Sequence, residues 1–214
     1  MRRGRMRRDA AATRERIFAA ATREFATYGF GGARIDRISR RARTFDRMLY
    51  YHYGNKEQLF RSVLEGVYER LWAAEAKLDL QRLDAAEGMR RLIAFTWRYY
   101  LEHPEFIRLL NTENLLRGRN VRRSRRVGRL SPPFISAVAD LLARGRRSGA
   151  FRREVDPVHL YLTIAALGYF YLSNRYTLSR FLRVNLMAAR RRAAWLRHIT
   201  AVILTFLGAP ASRH

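Results

Sequence analysis

The chain has 214 residues, of which 48% are hydrophobic, enough to close the core of one or two domains and too many for a disordered tail. Its 43 Lys and Arg against 18 Asp and Glu leave a formal charge of +25, so the natural partners are polyanions, nucleic acid first and an anionic membrane surface second. The absence of cysteine removes disulfides, thiolate catalysis and most structural zinc, and fits a reducing, cytoplasmic setting.

Apolar residues recur at helical spacing nearly everywhere, which predicts an all-α protein of about nine helices. The segment 1–12 is a basic N-terminal arm: five arginines fall within Arg2–Arg8, either as a solvated tail or as an arm that reaches a minor groove. Ile17, Phe18, Ala21, Phe25 and Tyr28 share one face of a first helix, which Gly29 ends. A short second helix covers about Arg34 to Ala42, Arg43 and Thr44 make a tight turn, and a third helix covers about Phe45 to Tyr51. Asn55 caps a fourth, with Gln58 as the reciprocal half of a capping box.

Beyond Leu80 the predicted helices lengthen. Asp84 and Glu87 open one that His103-Pro104 stops. Phe106 to Leu116 forms the next, and the stretch Arg117 to Arg129, seven arginines in thirteen residues, interrupts the pattern as a solvated helix face or loop. Ser131-Pro132-Pro133 restarts a helix that Gly149 ends. Asp156-Pro157 opens an apolar helix to about Leu178, and a last one, about Ala189 to Leu207, finishes at Gly208 and Pro210. Residues 157–174 carry no formal charge, but this length is the bottom of the membrane-spanning range. His159, Thr163, Ser173 and Asn174 interrupt it, so a buried interface helix is expected and no stable membrane association.

Three small helices with a very short last turn, followed at once by a longer one, make a helix-turn-helix pattern over Thr13–Leu59. A duplex presents one negative charge per about 1.7 Å of axis, so its reader needs phosphate-facing donors around a slim element for the major groove. The third helix is that element. Arg47 can fork onto guanine and Met48 can meet a thymine methyl, with Thr44 and Phe45 at the helix entry. Tyr50, Tyr51 and His52 close it with phosphate-reaching donors, His52 having helix capping as its alternative role. Lys56 adds an ammonium to the positive end of the fourth helix. Leu49 and Tyr53 fall on the inward face with Ile38 and Leu59, and Asp46 suits the first turn of its helix.

The string Arg47-Met48-Leu49-Tyr50-Tyr51-His52-Tyr53-Gly54-Asn55-Lys56-Glu57, with the Tyr28-Gly29-Phe30 turn and the Asp36-x-Ile38 step, resembles the TetR family of one-component repressors. That resemblance implies an operator-binding domain at 13–59 and an effector-binding and dimerisation domain at 60–214. Two departures stand out. Arg43 and Phe45 occupy the turn where members usually have glycine and a small hydroxyl residue, and the second helix lacks a Ser or Thr cap, leaving Arg34 or Arg37 to supply that phosphate contact.

The resemblance implies pairing through the last two helices, here through Leu160, Ile164, Leu167, Gly168 and Phe170 with Trp195, Ile199, Val202, Ile203 and Phe206. It also implies a small-molecule effector. Trp97, Tyr100, Asn111, Asn114, Tyr161, Tyr169 and Asn174 are the candidate pocket residues, being aromatic and amide groups on apolar helices. Double-stranded DNA, as a palindromic operator, is the expected partner of a homodimer. A non-specific architectural DNA binder is the alternative. Catalysis has no motif to support it: there is no Gly-x-Ser-x-Gly elbow, no phosphate-binding glycine loop and no His/Glu metal spacing. No cofactor or metal is expected.

Overall fold

The computed structural model describes residues 2–130 and 132–208. Among them are twelve α-helices and no strand: α1 (Arg2–Gly32), α2 (Ile35–Arg41), α3 (Asp46–Tyr53), α4 (Lys56–Glu75), α5 (Ala85–Glu102), α6 (Pro104–Leu115), α7 (Arg119–Arg122), α8 (Arg125–Leu130), α9 (Pro132–Arg147), α10 (Pro157–Ser173), α11 (Arg175–Phe181) and α12 (Ala189–Gly208). Short 3-10 turns at Ala76–Leu78 and Leu80–Arg82 lie between α4 and α5. The backbone of the basic segment continues α1 back to Arg2; the Arg2–Arg8 side chains and Pro210 lie outside what is described.

The chain clusters into two compact units, residues 1–70 with 104–128, and residues 71–103 with 129–214. The boundary expected at Leu59 therefore moves. The first eleven residues after it and all of α6 pack with the small helices, because Ile17, Ala21 and Phe25 of α1, all fully buried, need more cover than α2 and α3 supply. Phe25 and Phe30 close on Phe60, with ring centroids 4.9 and 5.3 Å away. Gly66 lets α4 lie against Phe18, since a Cβ there would sit 2.5 Å from that ring. Gly29, at φ 65, breaks α1 where the sequence places its end.

The arginine-dense stretch is not a loop. It forms α7 and α8, capped by side chains from afar. The buried Glu113 carboxylate accepts from the Asn120 and Val121 backbone N–H groups at 2.6 and 2.9 Å and from Asn120 Nδ2 at 2.9 Å. Ser124 Oγ accepts from Val127 N at 3.2 Å and donates to Glu65 at 2.5 Å. Arg123 reaches Glu57 at 2.7 Å, and Arg126 pairs with Glu69. The acidic face of α4 thus draws in arginines that the sequence alone assigns to solvent.

In the second unit α5, α9, α10 and α12 enclose a core that includes Met89, Leu92, Ile93, Leu141 and Leu172. Asp84 accepts from Glu87 N at 2.9 Å and Asp156 from His159 N at 2.9 Å, so both expected helix starts stand. The apolar helix ends sooner than expected: the Asn174 side chain bonds the Phe170 carbonyl at 3.0 Å, α10 stops at Ser173, and α11 follows.

The dimer list requires a correction. Leu160, Ile164, Gly168, Ile199 and Ile203 lie in the chain's own core, with Gly168 against Tyr100 and Trp97. The reason is that α10 is apolar all round, so one half of it packs on α5 and α9 and only the other is left outward, while α12 packs a face of its own on α5. Phe170, Val202 and Phe206 stay exposed, while Leu167 and Trp195 are half-buried.

Candidate nucleic-acid interface

The first unit holds every candidate DNA contact, and its geometry begins at a residue that sequence reading passed over. Glu24, 1% exposed, sends Oε1 to the backbone N–H of Arg34 at 3.1 Å and to Arg37 Nε at 2.6 Å. A carboxylate thus caps α2 in place of the missing hydroxyl residue. Its position, three after Ala21 and four before Tyr28, puts it on the inward face of α1, which is the signal that could have found it.

Arg37 is consumed by this arrangement. Besides Glu24 it donates to the Gly32 carbonyl at 2.5 Å and lies over the Tyr28 ring at 4.3 Å. Those bonds make it the strut between α1 and α2. Arg34 remains outward, paired with Asp36 at 3.0 Å, and Arg40 approaches the same carboxylate at 3.3 Å. The Arg34 side chain lowers the Asp36 pKa from its ordinary value, so this acid stays charged beside its two arginines. Asp36 is thus the counter-ion that orients the Arg34 and Arg40 side chains.

The turn between α2 and α3 places Arg43 at φ 51, in the left-handed region that glycine enters more cheaply. The Thr44 N–H bonds the Ser39 carbonyl at 3.0 Å, and Phe45, in extended backbone, starts α3. On α3, Leu49 and Tyr53 point inward, and the Tyr53 hydroxyl donates to the Arg14 carbonyl at 3.0 Å. The opposite face is open: Phe45, Arg47, Tyr50 and Tyr51 are all exposed, Tyr51 at 79%. Arg47 stacks over Phe45 at 5.3 Å. Arg41, Arg43 and Arg47 are exposed and have no carboxylate partner among the described residues. Arg41 and Arg43 are thus further free cations that the sequence did not single out.

Met48 is half-buried at the edge of this face. His52 is half-buried too: its ring meets Tyr51, and Nε2 is enclosed by protein without a hydrogen-bond partner. The reciprocal cap on α4 is present, with Asn55 N to Gln58 Oε1 at 3.0 Å and Gln58 N to Asn55 Oδ1 at 2.8 Å. One residue on, the Lys56 ammonium lies 5.0 Å over Phe30. Burial lowers its pKa, against the raising pull of Glu24.

A matched family model decides what this frame is. Residues 17–63 match the model of bacterial regulatory proteins of the tetR family, and residues 86–203 match that of the tetracyclin repressor-like C-terminal domain. The chain belongs to the TetR family. It is 44% identical over 192 residues to the HTH-type transcriptional repressor NicS of Pseudomonas putida, covering 90% of this chain and 91% of that one. It is 41% identical over 108 residues to the HTH-type transcriptional repressor SCO4008 of Streptomyces coelicolor, covering 50% and 53%. Its fold matches a tetR-family regulatory protein from Rhodococcus RHA1 at a TM-score of 0.70 and 18% identity, over 93% and 98% of the two chains.

The candidate effector residues are divided between the two units. Asn111 and Asn114 belong to the first unit, where Asn114 Nδ2 bonds its own helix at the Leu110 carbonyl, 2.9 Å away. In the second unit Trp97 and Tyr100 are core residues packed on Gly168, and Asn174 is the α10 cap. Tyr161 and Tyr169 are half-buried, and burial raises the pKa of both phenols. Among the described residues no helix is long and apolar enough to cross a membrane, and no group of His, Asp and Glu could hold a metal.

Proposed function

We propose that this TetR family regulator is a repressor that binds a two-fold operator as a homodimer and is released by a small-molecule effector. The observation that carries the reading is the open face of α3: Phe45, Arg47, Tyr50 and Tyr51 project from a helix whose other side is locked by Leu49 and Tyr53. Around it stand Arg34, Arg41, Arg43 and Lys56, at positions suited to phosphates on either side of a major groove. Similarity to two repressors supports the sign of regulation. Pairing would use the outward halves of α10 and α12, and a cytoplasmic location accords with the role. No step of chemistry on a substrate is assigned to it.

The charge of +25 favours a second reading, a protein that coats any duplex. One titration separates the two. The full chain is titrated by fluorescence anisotropy against an operator recovered by genomic footprinting and against its scrambled sequence, at rising salt. The repressor reading expects a preference of about 10³-fold or more. Arg47→Ala should erode that preference by about 1–3 kcal/mol, whereas Lys56→Ala should weaken both duplexes alike. Equal affinity for both duplexes across salts would establish the coating protein instead.

A further inference from the structure

The second unit contains a cavity of about 500 Å³, in the size range of small-molecule sites, that shares Phe170 and Trp195 with the expected pairing surface. It lies among the end of α10, the α11 excursion and the start of α12. One wall is aromatic. Tyr171 stacks on Trp195 with centroids 5.0 Å apart and 30° between the planes, and Trp97 supports Tyr171 edge-on from behind at 5.3 Å. Leu178, Leu182 and Leu186 add aliphatic lining.

The polar ends of the two rings are already committed. The Tyr171 hydroxyl donates to the Leu186 carbonyl at 2.7 Å, and Trp195 Nε1 donates to the Leu167 carbonyl at 3.3 Å. What they offer the cavity is ring face. The lining holds just two ionisable side chains besides Tyr171, Arg191 and His198, and no carboxylate. Arg191 has no acidic partner among the described residues. Its neighbour Arg192 keeps Nε enclosed and without a hydrogen-bond partner. An apolar slot with an uncommitted guanidinium at its edge selects a particular chemistry: a flat or compact hydrophobic body ending in a carboxylate, which the arginine fork can hold through two parallel bonds.

We propose that the cavity among α10, α11 and α12 binds a small carboxylate with an aromatic or branched apolar body, stacked along Tyr171 and Trp195 and held at its acid end by Arg191. This names the effector class and its site, and so rests on the reading of the chain as a ligand-released regulator. Phe170, Ala194 and His198 belong both to the cavity lining and to the exposed faces of α10 and α12. A second copy packed on those faces would roof the site, linking its occupancy to the dimer.

The test uses the full chain and two probes of one shape, 4-tert-butylbenzoate and its neutral amide, by isothermal titration calorimetry. The carboxylate should bind one per chain at least about tenfold more tightly than the amide. Arg191→Gln should abolish that preference and leave the amide affinity unchanged. Ala194→Trp, which fills the slot from a surface position, should weaken both probes about tenfold or more; circular dichroism verifies that both variants fold. No saturable binding of either probe, or a carboxylate preference that survives Arg191→Gln, overturns the proposal. So does sedimentation showing that the dimer excludes the probe while the dilute monomer takes it, since the second copy would then fill the slot itself. The same preparations are assayed on operator DNA without probe. Intact DNA binding with no probe binding sinks this inference alone, and lost DNA binding sinks the repressor reading.

Discussion

At the scale of single residues, Glu24 decides more than any residue on the exposed face. It is fully enclosed, one oxygen accepts from the backbone N–H of Arg34 at the N-cap of α2 and from the strut Arg37, and the other has no partner. Removing it leaves a half-buried guanidinium and a helix start uncompensated, a loss that outweighs the desolvation recovered. Glu24→Ala should therefore destabilise the chain by about 2–3 kcal/mol, lowering the thermal midpoint by roughly 5–10 °C in calorimetry. An unchanged midpoint would show that Glu24 is a passive neighbour of Arg37. Arg47→Ala, by contrast, removes an exposed side chain with no ion-pair partner and should leave the midpoint nearly unmoved while it erodes operator preference.

At the scale of elements, the end of α4 carries a half-buried acid with one oxygen enclosed and without a hydrogen-bond partner. Glu75 Oε1 is enclosed and unbonded, and burial pushes the carboxyl pKa up to about 8. An acid raised in this way costs stability as pH climbs from its unfolded value of about 4.5 toward about 8, because the unfolded chain releases the proton while the folded chain keeps it. Above that window the loss is complete. Tyr161 shares the environment: burial raises its phenol, and the Glu75 charge adds to the rise. Glu75→Gln should match the parent in urea unfolding near pH 4.5 and exceed it at about pH 8.5 by on the order of 2 kcal/mol. An equal gain at both pH values would point to packing, not ionisation.

The elements also show which parts of the structure are written locally. The starts at Asn55/Gln58, Asp84/Glu87 and Asp156-Pro157 depend on residues within three positions of one another, and each is legible in the sequence. So is the inward set Leu49 and Tyr53 that leaves the α3 face open. Glu24 on Arg37, Glu113 on Asn120 and the α4 acids on α7 and α8 are pairings across the fold, and no local rule assigns them. Leu160, Ile164 and Gly168 on α10 belong to a third kind. A helix apolar all round does not state which side its own chain will cover.

At the scale of the whole molecule, the question is what covers the other side. On α10, Val158, Leu162, Ala166 and Phe170 form a stripe at spacing four, all exposed; on α12, Ala201, Val202, Thr205 and Phe206 are outward. Apolar faces of this kind on a chain otherwise studded with arginine mark an interface. Under the proposed pairing α10 and α12 would each meet their own copies, and a homodimer would bind the second half-site of a two-fold operator intramolecularly. Carboxylates set into the seam should break that linkage without touching either unit's core, since Leu162 is 54% and Val202 44% exposed. Leu162→Glu/Val202→Glu should sediment as a monomer at micromolar concentration, keep the parent's circular dichroism, and bind a single half-site as the parent does. On the two-half-site operator it should lose about 10²-fold or more in affinity. A variant that remains dimeric, or a monomer that still holds the full operator as tightly as the parent, would place the pairing surface elsewhere on the chain.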